Sequence, residues 1–204
     1  EEAGLIRQPL SLQEIRQLEP NINLKNTYGG FYTKSDMTGD IHMFTKQLAK
    51  ICEKKAVKFH YGSIVKNIIH SKNNIRIIFN SDNKSDDELF NNIVICAGVE
   101  SKGLASLVGD RVNIYPVKGY SITVMLNDKQ SQLSAPNVSL LDDSAKIVTS
   151  RLGKFRFRIA GTAEFNGYNK DIRADRINPL IKWCNDLFPT VSTEHAIPWA
   201  GLRP

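Results

Sequence analysis

Apolar residues recur at helical spacing near the start of the chain. In LSLQEIRQLEP, Leu12, Ile15 and Leu18 fall on one face of a helix. Ser11 and Glu14 have the spacing of a capping box, in which each side chain accepts a hydrogen bond from the other residue's backbone N–H. The pattern therefore predicts a short, locally capped helix that ends before the next proline.

A longer helix is predicted over residues 41–55, after a short strand and a turn-rich loop in residues 29–40. Phe44, Leu48 and Ile51 recur on one face of this helix. An apolar stripe of this width is typical of a helix that packs against a core, so we expect these three side chains to be buried.

In the middle of the chain, apolar and polar residues alternate with a period of two, as they do in strands. Three β-rich runs follow in residues 56–80, and the turn at 71–74 joins the last two as a hairpin. Residues 81–88 are polar and predict a loop. The apolar run at 93–98 predicts a fully buried strand, followed by the helical pattern ESKGLASL. This order is typical of an α/β sheet with a β-excursion.

After Tyr115 the chain shows four β-runs with turn residues between them and no helical pattern, which predicts an antiparallel sheet. One long helix is expected over 171–188, with Pro179 inside it as a point of kinking or restarting. A last strand runs into Trp199. The change of texture predicts two domains with a boundary near 112–116.

Composition narrows the class of protein. An apolar fraction of 41% and a charged fraction of 24% are those of an ordinary soluble globular chain, without an apolar run long enough to span a membrane. The net charge of +6 is scattered along the chain and is not interleaved with aromatic residues, so we predict no nucleic-acid partner. The chain lacks a starting methionine and ends in WAGLRP, and we expect it to be part of a longer protein.

The candidate metal ligands and thiols do not form a site. Cys52, Cys96 and Cys184 are odd in number and far apart, and predict reduced core thiols. The four histidines share no ligand spacing with one another or with the cysteines. We therefore predict no metal centre.

Small residues at the end of the predicted buried strand give the first indication of a ligand. In doubly wound sheets, ligands lie beyond the carboxyl ends of the strands, where small residues let the backbone approach them. Ala97 and Gly98 occupy such a place, although a glycine there can also serve turn geometry alone.

Several motifs together resemble one family. The segment IVICAGVESKGLASLVGDRVNIYPVKGYSITV is similar to the part of D-amino acid oxidase-like flavoproteins that closes their FAD domain and crosses into their substrate sheet, with the crossing turn at 116–119. RFRIAGTAEFNGYN and WAGLRP resemble the family's sheet and the strand that carries its substrate arginine. Within the family, the chain is most similar to the D-amino acid dehydrogenases, and the resemblance covers nearly all 204 residues.

The resemblance implies a mixed α/β fold. It assigns residues 36–112 to part of a doubly wound FAD-binding domain, and residues 1–35 and 113–204 to an antiparallel-sheet substrate domain with helices. The family's Gly-x-Gly-x-x-Gly fingerprint and its glycine-rich flavin-covering segment lie outside the matched region. We therefore expect a central fragment that does not retain FAD tightly by itself.

The resemblance also implies site residues. Arg203, in GLRP, would hold the carboxylate of the amino acid, because a guanidinium fork can bind a carboxylate by two parallel bonds. Tyr120 is a second candidate for substrate binding. Val65, Ala97 and Gly98 are candidates for FAD binding, with a plain core valine as the alternative at position 65. No catalytic residue and no metal ligand is predicted.

The implied function is the FAD-dependent oxidative deamination of D-amino acids to 2-oxo acids and ammonia. A glycine- or sarcosine-oxidase activity and a non-catalytic binding module are the alternatives. The resemblance implies a cytoplasmic parent protein that either reacts with oxygen or passes electrons to a respiratory acceptor, with peripheral attachment to the inner face of the cytoplasmic membrane left open. Ala145 stands where these dehydrogenases usually carry a tyrosine, and the resemblance therefore does not extend to that residue. Glu164 is assigned a structural role.

Overall fold

The computed structural model describes residues 6–82 and 84–204. Its α-helices are α1 (Leu12–Leu18), α2 (Ile41–Lys54), α3 (Ser101–Leu107), α4 (Lys129–Ser134) and α5 (Ala174–Leu187), and a 3-10 turn at Gly98–Glu100 precedes α3. Its strands are β1 (Gln8–Leu10), β2 (Gly30–Tyr32), β3 (Ile64–His70), β4 (Ile75–Ser81), β5 (Lys84–Phe90), β6 (Val117–Met125), β7 (Leu141–Asp142), β8 (Ile147–Arg151), β9 (Arg156–Glu164) and β10 (Ile197–Arg203).

The described strands form three sheets. β1 pairs with β2, β3–β4–β5 form an antiparallel meander, and the five-stranded sheet has the order β10-β6-β9-β8-β7. Within the large sheet, β9 pairs antiparallel with both β6 and β8, and β8 with β7. The predicted mixed α/β class with an antiparallel sheet is confirmed.

The chain divides into two compact units. The first unit contains the chain up to Ile41 together with Lys118–Phe165 and Asn169–Gly201, and the second contains His42–Val117, Asn166–Tyr168 and Leu202–Pro204. The predicted domains, 36–112 against 1–35 with 113–204, stay a prediction about the parent protein. Residues 1–5 of that prediction, and Asn83 of the predicted loop, lie outside the described residues.

The core of the first unit lies between the large sheet and α5. Alternate residues of β6 and β9 point into it, as the period of a strand requires. Phe157 packs edge-on against Phe188 with ring centroids 6.0 Å apart, and Trp183 lies 6.2 Å from Phe188. The side chains that share this core include Ile122, Val124, Phe157, Ile159, Leu180 and Phe188.

Helix α5 runs without interruption from Ala174 to Leu187 through Pro179. The predicted restart at this proline does not occur. Pro179 is the sixth residue of the helix. Its missing N–H removes one backbone hydrogen bond near the N-terminus, next to the first-turn N–H groups that have no partner within the helix in any case. The buried face of the helix then holds the segment in place.

The predicted apolar stripe of α2 forms but is not buried. Phe44, Leu48 and Ile51 keep 62%, 46% and 51% of their surface exposed, and α2 has no buried residue. The expectation of burial is wrong for this structure, because helical spacing sets which side chains share a face and does not supply a covering element.

The predicted buried strand at 93–98 is also absent from the described structure. Residues 92–97 carry no strand assignment, and Val94 is 83% exposed. A fully buried strand needs a paired strand and covering layers on both faces. No described strand pairs with this segment, so its apolar run alone does not make it a strand.

Three further predictions are wrong in detail. The polar segment 81–88 contributes most of β5, whose acidic residues lie on an edge strand where charge is tolerated. The first β-rich run, at 57–61, forms no strand. Helix α4 appears where only strands were expected, with Asp128 accepting a capping bond from the Ser131 N–H at 2.7 Å.

The predictions that rest on residues close together in the sequence are more accurate than those that concern burial. The predicted hairpin is confirmed by the Ser71 N–H bond to the Asn74 carbonyl, 2.9 Å long, and by the pairing of β3 with β4. The capping box is confirmed as well, because Ser11 and Glu14 bond reciprocally at the start of α1. These elements depend on neighbours in sequence.

The three cysteines are free thiols. Cys184 lies in the core, and burial raises its pKa to about 12. Cys52 is partly buried and Cys96 is exposed, so the expectation of core thiols is wrong for Cys96, which lies in the segment that does not form a buried strand.

The described residues contain no cluster of three metal-ligating side chains, and none of their helices has the length and apolar character needed to span a membrane.

Candidate substrate and cofactor sites

Arg203 lies at the end of β10, the strand that carries WAGLRP. Its side chain is exposed, and among the described residues no carboxylate lies within ion-pair distance of it. An unpaired guanidinium keeps its fork of N–H donors for a ligand. The role of Arg203 in binding a substrate carboxylate stays a prediction.

Gly201 on the same strand has a packing reason. The Trp199 ring lies against it, and a Cβ atom at position 201 would collide with ring atoms of Trp199. Absence of a side chain therefore lets the indole lie along the strand. Only glycine fits beneath the ring in this arrangement.

Tyr120 belongs to a buried ionic cluster, which we define as Lys118, Tyr120 and Glu164, and the half-exposed Arg173 contacts this cluster from its edge. The Tyr120 hydroxyl donates to Glu164 Oε2 at 2.5 Å, and Lys118 Nζ lies 3.2 Å from the same oxygen. Arg173 Nη1 donates to Glu164 Oε1 at 3.0 Å. Lys118 also donates to the Asn169 side chain and the Asp171 carbonyl at 3.0 and 3.1 Å. Both ends of the Glu164 carboxylate are engaged.

The cluster shifts the pKa of each member. The hydrogen bond from Tyr120 lowers the pKa of Glu164, and the bond and charge of Lys118 lower it further against the opposing effect of burial. Burial raises the pKa of Tyr120, and its bond to Glu164 adds to this. Burial by itself lowers the pKa of Lys118, but its bonds to Tyr120 and Glu164 outweigh burial and raise it. At neutral pH the cluster is therefore an ion pair with a neutral tyrosine.

This geometry bears on two sequence-based assignments. Tyr120 has 2% of its surface exposed and its hydroxyl is already bonded, so in this structure it supports the joint between β6 and β9. Its predicted contact with substrate stays a prediction. Glu164 is buried and bonded to three partners, which supports the structural role assigned to it.

A β-bulge lies within this joint. The register of β6 against β9 shifts between Gly119 and Tyr120, and Thr162 has φ +53° at this shift. A β-branched residue rarely adopts this conformation, so the surrounding structure must enforce it. The Thr162 hydroxyl donates to the Arg176 carbonyl on α5 at 3.2 Å, which helps to hold it. The sequence gives no signal for this bulge.

Val65 lies on β3, an edge strand of the meander. It is partly buried and pairs with Phe79, and the register shifts between Val65 and Asn67. Bulges on edge strands interrupt pairing and leave backbone groups available for other partners. The register leaves Lys66 without a partner, whereas Val65 itself is paired, so a main-chain contact of Val65 with the adenine stays a prediction.

Ala97 and Gly98 precede α3, which packs against β3 within the second unit. Gly98 has φ +56°, and a Cβ atom placed on it would meet nothing within 4 Å. Its backbone is therefore open to close approach, and the positive φ favours glycine. The Ala97 N–H is already bonded to the Ser101 hydroxyl at 3.0 Å. Binding of the cofactor by Ala97 and Gly98 stays a prediction.

Sequence reasoning missed one arrangement. Arg158 on β9 lies over the ring of Trp199, 5.5 Å from its centroid, and donates to the Ser121 hydroxyl at 3.2 Å. The alternation RFRIAG already places Arg156 and Arg158 on one side of the strand. The stacking on Trp199 could not be read from it, since the two residues are far apart in sequence.

Comparison with known proteins assigns the fold. A family model described as FAD dependent oxidoreductase matches residues 1–204. Among solved structures, the glycine oxidase of Geobacillus kaustophilus matches with a TM-score of 0.83 at 18% identity, covering 100% of this chain and 52% of that one. The glycine oxidase of Bacillus cereus matches with a TM-score of 0.83 at 22% identity, covering 100% of this chain and 53% of that one. At these identities the structural likeness concerns the fold alone.

Curated relatives agree with the family model. D-amino acid dehydrogenase 3 of Mesorhizobium japonicum is 51% identical over 203 residues, which are 100% of this chain and 49% of the relative. D-amino acid dehydrogenase of Dechloromonas aromatica is 37% identical and is matched over 98% of this chain and 48% of its own length. The chain thus spans about half the length of these relatives. It belongs to the family of FAD-dependent oxidoreductases.

Proposed function

We propose that the chain is part of an FAD-dependent D-amino acid dehydrogenase. The observation that carries the proposal is the 51% identity, over the whole chain, to a protein named D-amino acid dehydrogenase 3. The unpaired Arg203 at the end of β10 supports it, because a carboxylate is common to all amino acids. The whole reaction belongs to the longer parent protein.

The reaction would convert a D-amino acid to an imino acid. FAD, when bound, accepts the hydride that leaves the substrate Cα. The substrate amine gives up a proton, and water then hydrolyses the imino acid to a 2-oxo acid and ammonia. Arg203 would bind the carboxylate by two parallel bonds and so fix the direction of the Cα–H bond. A protein base is not needed when the amine arrives neutral, which is consistent with the bonded state of Glu164.

The second unit would supply part of the cofactor site. Val65 would contact the adenine through its backbone, and the open backbone at Gly98, beside the small Ala97, would lie close to the cofactor. The second unit contains His42–Val117, which is most of the proposed cofactor domain, but it also contains Leu202–Pro204 with Arg203, so the division into a cofactor domain and a substrate domain stays a prediction. Weak FAD retention by the isolated chain stays a prediction, as do a respiratory electron acceptor and a peripheral position at the membrane.

The two alternatives have less support. The likeness to glycine oxidases, at 18% and 22% identity, supports only a shared fold. A self-standing binding module would have a closed surface without exposed apolar patches, but Phe44 and Val94 are 62% and 83% exposed. The exposed apolar residues therefore count against a self-standing module.

The test uses the FAD-loaded parent enzyme and its Arg203→Lys variant. Lysine keeps the positive charge but cannot form two parallel hydrogen bonds to the carboxylate, so kcat/KM for D-amino acids should fall by about 10-fold or more. Steady-state kinetics with D-alanine, FAD absorbance and the melting temperature would be measured together. FAD content and melting temperature should not change.

A matched substrate control separates binding from folding. An amine without a carboxylate should be oxidised equally by wild type and variant, because Arg203 has nothing to grip in it. Equal losses with both substrates, or an unfolded variant, would show that Arg203 is structural. Failure of the wild-type holoenzyme to oxidise any D-amino acid would overturn the proposed function itself.

A further inference from the structure

The two carboxyl oxygens of Glu19 have different surroundings. This residue caps the C-terminal end of α1, and only 2% of its surface is exposed. Oε1 accepts hydrogen bonds from the backbone N–H groups of Asn137 and Val138, both 2.6 Å long. Oε2 is buried and has no hydrogen-bond partner among the residues that the structure describes. One oxygen is therefore fully engaged, and the other is removed from water without a replacement.

This arrangement favours the neutral acid over the carboxylate. An ionised carboxylate carries charge on both oxygens, and a buried charged oxygen without a partner costs far more than a buried neutral one. Burial raises the pKa of Glu19 above its ordinary value of 4.5, and it outweighs the two N–H bonds and the charge of Arg151 on β8, which favour the anion. Residues 136–138, which supply the N–H groups, carry no ionisable side chain, and the charged residues of α1, Glu14 and Arg16, are exposed.

The carboxyl belongs to a joint between α1 and the segment around α4. We call this contact the α1 joint and define it as residues 19–21 with 132–138. Beside the carboxyl, the Asn21 side-chain amide donates to a backbone carbonyl of α4 at 2.9 Å. Arg151 donates to two backbone carbonyls of the same segment at 2.7 and 2.9 Å. Neither an amide nor an arginine changes its charge near neutral pH. The carboxyl is thus the group in the α1 joint whose charge depends on pH.

We propose that Glu19 makes the α1 joint sensitive to pH: the joint is closed while the buried carboxyl carries a proton and opens as that proton is lost. In the neutral acid, Oε1 still accepts both N–H bonds. After ionisation, Oε2 gains water only if the joint opens. Because the closed joint raises the pKa of Glu19, its stabilising effect is complete below pH 4.5 and is lost as pH rises through the raised pKa.

The first experiment measures amide hydrogen exchange of α1 and residues 136–138 in the FAD-loaded parent enzyme. Rates are corrected for the intrinsic pH dependence of exchange. In wild type, protection should fall above pH 4.5 by up to about tenfold per pH unit, the limit for one proton, and should level off once Glu19 is ionised in the closed joint as well.

Glu19→Gln keeps the Oε1 acceptor but cannot ionise, so its protection should not change with pH. Glu194→Gln replaces an exposed glutamate of the same unit and is the matched control. It should follow wild type at every pH. Equal pH dependence in wild type and Glu19→Gln would overturn the proposal, and so would a loss of the dependence in Glu194→Gln, because a different group would then be responsible.

The second experiment detects the proton itself. A protonated carboxyl has a C=O stretching band in the infrared that a carboxylate lacks. The difference between wild type and Glu19→Gln should show this band above pH 4.5, where an ordinary glutamate is ionised, and the band should disappear over the interval in which protection falls. Absence of the band at every pH above 4.5 would contradict the proposal.

The test does not depend on the stability of one variant. If Glu19→Gln does not fold, carbon-13 NMR of wild type labelled at glutamate carboxyl groups gives the same information. One resonance should titrate above 4.5, and titration of all glutamates at or below 4.5 would overturn the proposal. Neither readout requires oxidation of a substrate, so the result is independent of the proposed function.

Discussion

The two compact units differ in how far their apolar residues are buried. In the first unit, Phe157, Ile159 and Leu180 are completely buried between the large sheet and α5. In the second unit, α2 has no buried residue, and Phe44 keeps 62% of its surface exposed. Elements with similar amphipathic patterns are thus buried to different extents, because an apolar face is buried only where another apolar element covers it.

The buried ion pairs of the described chain lie in the first unit, where exposed pairs such as Lys146 with Asp143 also occur. The first unit contains the buried ionic cluster, in which Lys118 is completely buried and bonded to Glu164. Ion pairs of the second unit, such as Arg76 with Asp87, are about half exposed on both sides. Exposed pairs of this kind contribute about 0–1 kcal/mol, whereas the buried cluster can exist only because its members satisfy one another.

The largest expected effect concerns the core of the first unit. Phe157→Ala should lower the free energy of unfolding of the 204-residue chain by about 3–5 kcal/mol, because it leaves a cavity against Phe188. Phe155→Ala on the same segment, where the ring is 57% exposed, should change it by less than about 0.5 kcal/mol. Phe44→Ala should be equally mild.

Urea unfolding followed by tryptophan fluorescence would check the Phe157 and Phe155 variants, because both tryptophans, Trp183 and Trp199, lie in the first unit, and far-UV circular dichroism would follow Phe44→Ala in the second unit. A loss in Phe44→Ala as large as that in Phe157→Ala would contradict the contrast between the units.

The next effect concerns the pH dependence of the buried ionic cluster. The pKa of Glu164 is lowered from its ordinary value of 4.5, so its stabilising effect is complete above pH 4.5 and is lost as pH falls through the lowered pKa. Glu164→Gln imitates the protonated acid. We therefore expect wild type to melt at a higher temperature near pH 7 and the two proteins to converge below pH 4.5.

Thermal unfolding between about pH 3 and 7 would test the convergence. Asp143→Asn is the control, because its ion pair with Lys146 is exposed, with 88% of the aspartate surface accessible. It should shift the melting temperature slightly at neutral pH. A constant gap between wild type and Glu164→Gln across the range would contradict the role given to Glu164.

The smallest effects come from two glycines, and they should have opposite signs. A Cβ atom on Gly161 would lie 2.7 Å from Ile147 Cγ1 and 3.2 Å from Leu180 Cδ2, so Gly161→Ala should destabilise by about 1–3 kcal/mol. Gly103 in α3 has open space around it, and Gly103→Ala should stabilise the helix by about 0.5–1 kcal/mol.

Urea unfolding for Gly161→Ala, and amide hydrogen exchange of α3 for Gly103→Ala, would measure these changes. If both variants were stabilising, the dense packing assigned to the first unit would be wrong.

The sequence by itself determined the elements that depend on near neighbours. The capping box of Ser11 and Glu14 and the hairpin at 71–74 require contacts within a few residues, so their patterns predict them. Motifs such as GLRP, which holds Arg203, likewise led to the family because they are contiguous. The antiparallel sheet after Tyr115 followed from alternation alone.

Only the tertiary structure decided which patterns are buried and which distant side chains meet. The stripe of Phe44, Leu48 and Ile51 predicts a core face, but burial depends on another element. Tyr120 and Glu164 meet across 44 residues, and the stacking of Arg158 on Trp199 joins β9 to β10. Periodicity fixes the side of an element on which a residue lies, whereas its partner is set by strand order and register, which arise only when the chain packs.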